Sequence, residues 1–376
     1  MSAILQYLQS HQSEMLADLE ELVKAESPSD NKELTDKCGK VLQAIFAKHL
    51  GLTADIFRRE HTGDHLRFTY GDGSEQILIL SHFDTVWDQG QLHFRVEGNR
   101  AFGPGIYDMK AGIIQAIWAL KACKELGVSF NKKIVFLCTS DEETGSLSSR
   151  KLIEQEAKKS SVVLVTEFAV RGTGALKTER KGVGDFIFTI AGLAAHAGNH
   201  HEDGVSAVEE MAHQILWLNS FTDYTAGTTI NVGVARGGTR PNVVADKAEL
   251  QVDLRFSDPL AGEQIASKIL KAKAFLPKAS VKVTGGINRP PMVKTRSTKE
   301  LFEMAYDCGK QIGITLTETA VGGGSDGNFT AALGIPTLDG LGAMGDGAHA
   351  QNEHILIDQL PVRSALMSHL VSRLSE

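Results

Sequence analysis

Three short, unbroken apolar runs decide most of what this chain can fold into: QILIL at 76–80, KIVFLCT at 133–139 and VVLV at 162–165. Helical patterns at 14–22 and 34–48 precede them, and others at 112–126 and 147–156 lie between them. Continuous apolar strands alternating with helices predict a mostly parallel sheet covered on both faces. The texture then changes. Residues 182–287 read as strand (185–191), helix (205–221), strand (227–236), strand (247–256), helix (260–275) and strand (280–284). That βαββαβ order predicts a self-contained ferredoxin-like insert. After Asn288-Arg289-Pro290-Pro291 the α/β pattern resumes, with helix 298–312, strands 314–320 and 335–338, and helix 358–374. The expected fold class is therefore α/β. A discontinuous domain of residues 1–181 and 288–376 carries the sheet flanked by helices, and 182–287 form the insert.

Charge and composition narrow the function. The chain carries 39 basic and 46 acidic residues, a net charge of −7, which argues against a nucleic-acid partner. No stretch approaches the ~20 apolar residues that span a bilayer. The N-terminal stretch lacks the basic region and small-residue cleavage site of a signal peptide and reads as an amphipathic helix. Cys38, Cys123, Cys138 and Cys308 lie far apart with no CxxC pair, as expected of buried thiols in a reducing compartment. A cytoplasmic protein without a membrane partner is the expectation. The 37 glycines against 9 prolines indicate tight turns and backbone close to a ligand.

Acidic and imidazole residues fall at the ends of the strands. Strand 76–80 runs into Ser81-His82-Phe83-Asp84, strand 133–139 into Asp141-Glu142-Glu143, and strand 162–165 into Glu167. Asp108 precedes the helix at 112–126. Carboxyl ends of parallel strands share one edge, where ligands bind. Carboxylates with a nearby His suit a hydrolytic site with two metal ions: a carboxylate bridges, imidazoles cap, and a free Glu moves protons. Nitrogen and oxygen ligands without Cys favour Zn²⁺, with Co²⁺ or Mn²⁺ as alternatives.

The ordered segments SHFDTV, GIYDMKAG, TSDEETGS, VTEFAV and GAHAQNEH resemble the co-catalytic zinc exopeptidase family of carboxypeptidase G (glutamate carboxypeptidase), aminoacylases and succinyl-diaminopimelate desuccinylase. The resemblance spans nearly the whole chain and implies that the insert is a lid and dimerisation domain. It implies two Zn²⁺ per chain: His82 and Glu167 on one, Glu143 and His349 on the other, and Asp108 bridging. Asp84 would orient His82 through its second ring nitrogen, and Glu142 would be the general base. The family usually has Glu at the position of Glu167 in carboxypeptidases and deacylases, and Asp in aminopeptidases. The expected activity is cleavage of an amide bond in a peptide or N-acyl amino acid, next to a carboxylate-bearing residue. A dipeptidase of the same family, and an inactive binding protein on the scaffold, are the alternatives. His196 in GLAAHAG resembles a lid His that reaches the partner subunit's site in a homodimer. Arg289 in NRPPM resembles an Arg that pairs with the substrate carboxylate, and Asn242 in RPNVVAD a polar substrate contact. Gly324 belongs to a loop whose backbone approaches the substrate.

Several patterns are decoys. Two stretches, 322–327 and 340–345, fit GxGxxG, but neither is followed by a helix long enough for a dinucleotide site. His200, His201, Glu202 and Asp203 read as surface residues, and Arg240 and Arg255 serve structural salt bridges at least as well as substrate contacts. The stretch from His349 to His354 is neither HExxH nor HxxEH, so His354 is not expected to be a ligand.

Overall fold

The computed structural model describes residues 2–376. Strand Gln76–His82 is buried at every position, as a central parallel strand must be. Its sheet runs in the spatial order Asp55–Phe57, His65–Tyr70, Lys133–Thr139, Gln76–His82, Val162–Val165 and Thr337–Leu338. The last four strands are mutually parallel, and the first two form an antiparallel margin. Successive side chains point to opposite faces. Ile77, Ile79, Ile134 and Phe136 therefore join one core with Ile113, Ile117, Leu366 and Leu370 from helices Ala111–Glu125 and Gln359–Leu374. Leu78, Leu80, Val135 and Leu137 join the other, with Leu152 and Ile153 from helix Arg150–Ala157 and Phe329 from helix Gly327–Ala332.

The chain divides into two compact units, one comprising residues 1–179, 293–321 and 325–376, the other residues 180–292 with 322–324. In the second, strands Thr229–Gly237, Lys247–Phe256, Gly182–Ala191 and Ser280–Arg289 form an antiparallel sheet in that order. Helices Ala207–Asn219 and Pro259–Leu270 follow the first and third of these strands in sequence, giving βαββαβ. Their starts are local chemistry. The side chain of Ser206 accepts from the Glu209 amide at 3.2 Å, and that of Asp258 from the Ala261 amide at 2.7 Å with Pro259 following. Arg180 and Met292, where the chain enters and leaves this unit, pair with each other: each amide donates to the other's carbonyl at 3.0 Å.

Details depart from the sequence reading. The amphipathic N-terminus is two helices, Ala3–Ser10 and Gln12–Lys24, separated at His11. The strand expected at 314–320 is confined to Glu318–Val321, in a two-stranded sheet with Leu176–Arg180. A small sheet of Gly345–Asp346, His354–Leu356, Arg100–Phe102 and Arg95–Glu97 has no counterpart in the apolar pattern because its strands are two or three residues long. The four cysteines are free and buried, and among the described residues no helix is long and apolar enough to cross a membrane.

A buried polar cluster holds the N-terminal helices in place. Asp18, 1% exposed, accepts from Trp118 Nε1 at 2.8 Å and lies 2.7 Å from His49 Nε2 and 2.8 Å from Lys48 Nζ. Burial opposes its charge, but His49, Lys48 and Trp118 together hold its carboxyl below the usual range. Its stabilising contribution is therefore complete above the unfolded value of about 3.9 and lost as pH falls through the folded one. Asp18→Asn should lower stability at pH 7 by about 1.5–3 kcal/mol, the worth of a hydrogen bond to a charged group. Urea unfolding at pH 7 and pH 3 checks this. A gap between wild type and variant that widens in acid would refute it.

Candidate active site

Each chemistry-bearing residue of the first unit lies at a strand end or in a turn. His82 ends strand Gln76–His82. Glu142 and Glu143 form a short turn, Glu142–Thr144, three residues past strand Lys133–Thr139. Glu167 follows strand Val162–Val165 by two residues. Asp108 sits in the turn Ile106–Lys110 that opens helix Ala111–Glu125, and its peptide to Met109 is cis. His349 occupies a loop between strands Gly345–Asp346 and His354–Leu356, with φ of +61°.

Asp108 lies between two imidazoles. Its Oδ1 is 3.2 Å from His82 Nε2 and its Oδ2 is 3.3 Å from His349 Nε2. On the outer sides, His349 Nε2 is 3.2 Å from Glu143 Oε2, and His82 Nε2 is 3.5 Å from Glu167 Oε1. Ligand-type atoms of His82, Asp108 and Glu143 lie within 4.8 Å of one another, as do those of His82, Glu142 and Glu167. The structure thus brings together all five residues expected as ligands, with Glu142 beside them. Glu142 thus lies within ligand distance of His82 and Glu167.

Asp84 meets the second ring nitrogen of His82 with both its main chain and its carboxylate. The His82 Nδ1 atom is closer to the Asp84 main-chain carbonyl, at 3.1 Å, than to its carboxylate, at 3.4 Å. The Asp84 carboxylate also accepts from Ser29 Oγ at 2.8 Å and from the amides of Glu142 and Glu143, each at 3.2 Å. One residue therefore orients the imidazole and holds the acidic turn.

Electrostatics follow from this crowding. Burial and the Asp108 carboxylate push Glu143 up to about 8. Burial also opposes the charge of Asp108, but His349 and His82 hold its carboxyl well below the usual range. Asp108 and Glu143 in turn raise His349 to about 11, and Asp108, Asp84 and Glu167 outweigh the burial of His82 to raise it too. A cluster this rich in carboxylates, buried at His82, Asp108 and Glu167 and open to solvent at His349, with no thiolate, fits divalent cations by donor type and by charge.

The remaining expected residues lie in the second unit. His196 is exposed, and its Nδ1 accepts from the amides of Gly198 at 3.1 Å and Asn199 at 3.2 Å. That assigns the ring proton to Nε2, leaving an N–H donor. Its segment pairs with that of Asn242, whose carbonyl accepts from the Ala197 amide at 3.1 Å. Arg289 is buried, and a Cβ on Gly324 would come within 3.0 Å of its Cδ. Glycine here keeps room for the arginine stem. Arg255 forms a 2.7 Å pair with Asp253, and His200 lies 3.6 Å from Asp203 on the surface.

One residue escaped the sequence reading. Glu353, 1% exposed, accepts through Oε2 from Trp87 Nε1 at 2.6 Å and the Gly105 amide at 3.1 Å. Through Oε1 it accepts from the amides of Tyr107 at 2.9 Å and Asp108 at 3.1 Å. The available signal was an acid four residues after His349, within a segment that matches no single-helix zinc motif.

Comparison with known proteins agrees with this geometry. Residues 78–373 match peptidase family M20/M25/M40. Carboxypeptidase G2 from Pseudomonas sp. (strain RS-16) is 33% identical over 381 residues, covering 98% of this chain and 91% of that protein. Among solved structures, an M20 metallo-carboxypeptidase from Sulfolobus solfataricus superposes with a TM-score of 0.79 at 18% identity, over 96% of this chain and 98% of that one. Aminopeptidase PepT from Bacillus cereus superposes with a TM-score of 0.77 at 24% identity, over 97% and 99%. With the family match and the carboxypeptidase relative both spanning most of its length, the chain belongs to peptidase family M20/M25/M40 and is a metallohydrolase of that family.

Proposed function

We propose that this chain is a two-zinc amidohydrolase that cleaves the amide bond next to a carboxylate-bearing amino acid, as a glutamate carboxypeptidase-like exopeptidase or an N-acyl-amino-acid deacylase. The observation that carries this reading is the Asp108 carboxylate between two imidazoles, with Glu167 and Glu143 on the outer sides. His82 and Glu167 would hold one Zn²⁺, Glu143 and His349 the second, and Asp108 both. The pair would supply Lewis acidity and acidify water at neutral pH. Glu142 takes the proton of the attacking water and returns it to the leaving nitrogen. The identity with a carboxypeptidase and the Glu at position 167 support a free carboxylate in the substrate.

Recognition falls to the second unit. Arg289 pairs with the substrate carboxylate through its planar fork. Asn242 adds a polar contact, and Gly324 lets backbone approach. The unit also supports a homodimer. Strand Thr229–Gly237 is an edge strand, and Val208 and Leu216 on helix Ala207–Asn219 are exposed apolar residues. In that dimer His196 completes the partner's site, its Nε2–H donating to the oxyanion.

The test is release of free amino acid from folyl-glutamates, N-acyl amino acids and dipeptides by Zn²⁺-loaded protein. Esters and amides of the α-carboxylate should resist cleavage. Arg289→Ala should raise KM for free acids by about 10-fold or more, since losing a charge-assisted pair forfeits about 1.5–3 kcal/mol. Equal cleavage of blocked and free substrates by the wild type would overturn the carboxypeptidase reading in favour of an aminopeptidase.

A further inference from the structure

Glu353 combines three properties that a simple anchor does not need. It is a carboxyl group in the interior, and among the described residues no Lys, Arg or His pairs with it. Its four contacts are all N–H donors, two to each oxygen, so every acceptor direction in a carboxylate's repertoire is used. Three of the donors are successive parts of one turn, the amides of Gly105, Tyr107 and Asp108, with Gly105 at φ +67°. Such a turn concentrates backbone N–H groups into an anion cradle, and here the anion is supplied by the chain itself.

The position of Glu353 matters as much as its bonding. The Glu353 amide donates to the Ala350 carbonyl and the Ala350 amide to the Gly347 carbonyl, both at 2.8 Å. These turns tie Glu353 to the loop that carries His349. The Trp87 contact ties it to the segment that follows His82 and Asp84. One side chain thus joins three ligand-bearing segments that are far apart in sequence, and two of its bonds hold the two successive peptides that lead into Asp108.

We infer that Glu353 is a positioning residue that sets the backbone of Asp108 against the His349 loop, and thereby the affinity of the cation held by Asp108, Glu143 and His349. A neutral amide of the same shape cannot replace it. Glutamine keeps one acceptor oxygen, but its NH₂ group would face two N–H donors. The inference rests on the two-cation reading above.

The experiment is Co²⁺ or Zn²⁺ titration of chelator-stripped wild type and Glu353→Gln, following stoichiometry by calorimetry and, for Co²⁺, the visible ligand-field spectrum. The expected result is two ions in the wild type. The variant should keep one site near wild-type affinity and weaken the other by about 10–100-fold, the usual effect of removing a group that orients a ligand. Two ions bound with wild-type affinities and an unchanged spectrum in Glu353→Gln would overturn the inference and leave the two-cation reading standing. One ion or none in the wild type would instead sink that reading. Hydrogen exchange on the stripped wild type gives a check that needs no variant. The Tyr107 and Asp108 amides should exchange slowly, and rapid exchange at both would overturn the role of Glu353 even if Glu353→Gln failed to fold.

Discussion

Glu142→Gln is expected to lower turnover by about 10²–10⁴-fold, the range a general base supplies, while metal content stays near that of the wild type. Glu143→Gln should do the reverse at the level of binding, losing one ion per chain. The two residues are neighbours in sequence, and their amides hang from one carboxylate, that of Asp84. The distinction between them therefore lies in their side chains. Glu143 Oε2 is 3.2 Å from His349 Nε2, whereas Glu142 groups with His82 and Glu167. Metal analysis beside steady-state kinetics on both variants decides the assignment. Loss of an ion in Glu142→Gln with full loading in Glu143→Gln would exchange the two roles.

His196→Ala should fall by about 10²–10³-fold, the effect of removing one oxyanion donor. The larger claim concerns which chain that donor serves. Glu142→Ala and His196→Ala should each be nearly inactive alone. When the two are unfolded and refolded together, random pairing makes about half of the dimers mixed, and each mixed dimer holds one complete site, so roughly a quarter of wild-type sites should return. Service within the same chain predicts no recovery at all, because no mixed dimer then has Glu142 and His196 in one site. Sedimentation showing only monomer would defeat the idea independently.

The parts of this protein legible in its sequence were those written as side-chain pattern. The apolar runs around Ile79, Phe136 and Leu164 announced the parallel strands, and the His and acids that follow them marked the rim of His82, Glu142, Glu143 and Glu167; Asp108 showed as an acid ahead of a helix, and His349 only through the family resemblance. What the sequence did not disclose is carried by main-chain groups or by very short elements. The amides that Asp84 and Glu353 accept have no letter of their own. The partners of Glu353 at 87 and 105 lie some 250 positions away, and no local spacing links them. Strands such as Arg95–Glu97 and Gly345–Asp346 are too brief and too polar for periodicity to register. Gly322–Gly324 group with the second unit because they pack against Arg180 and Arg289, which adjacency in sequence does not reveal.

The paired backbones of Arg180 and Met292 carry an implication for how such enzymes diversify. The two ends of the long excursion from 180 to 292 lie side by side, at the spacing of neighbouring β-strands, about 4.5–5.5 Å between Cα atoms. To the host, a large excursion of chain is closed off as if it were a hairpin. The stretch between those two residues is thus a cassette with a standard socket, exchangeable without re-threading the sheet whose central strand ends at His82. Under the recognition role proposed for Arg289 and Asn242, splicing at this pair the corresponding stretch of a relative with another preference is expected to change the preferred substrate. Natural lineages can revise what they recognise by the same route.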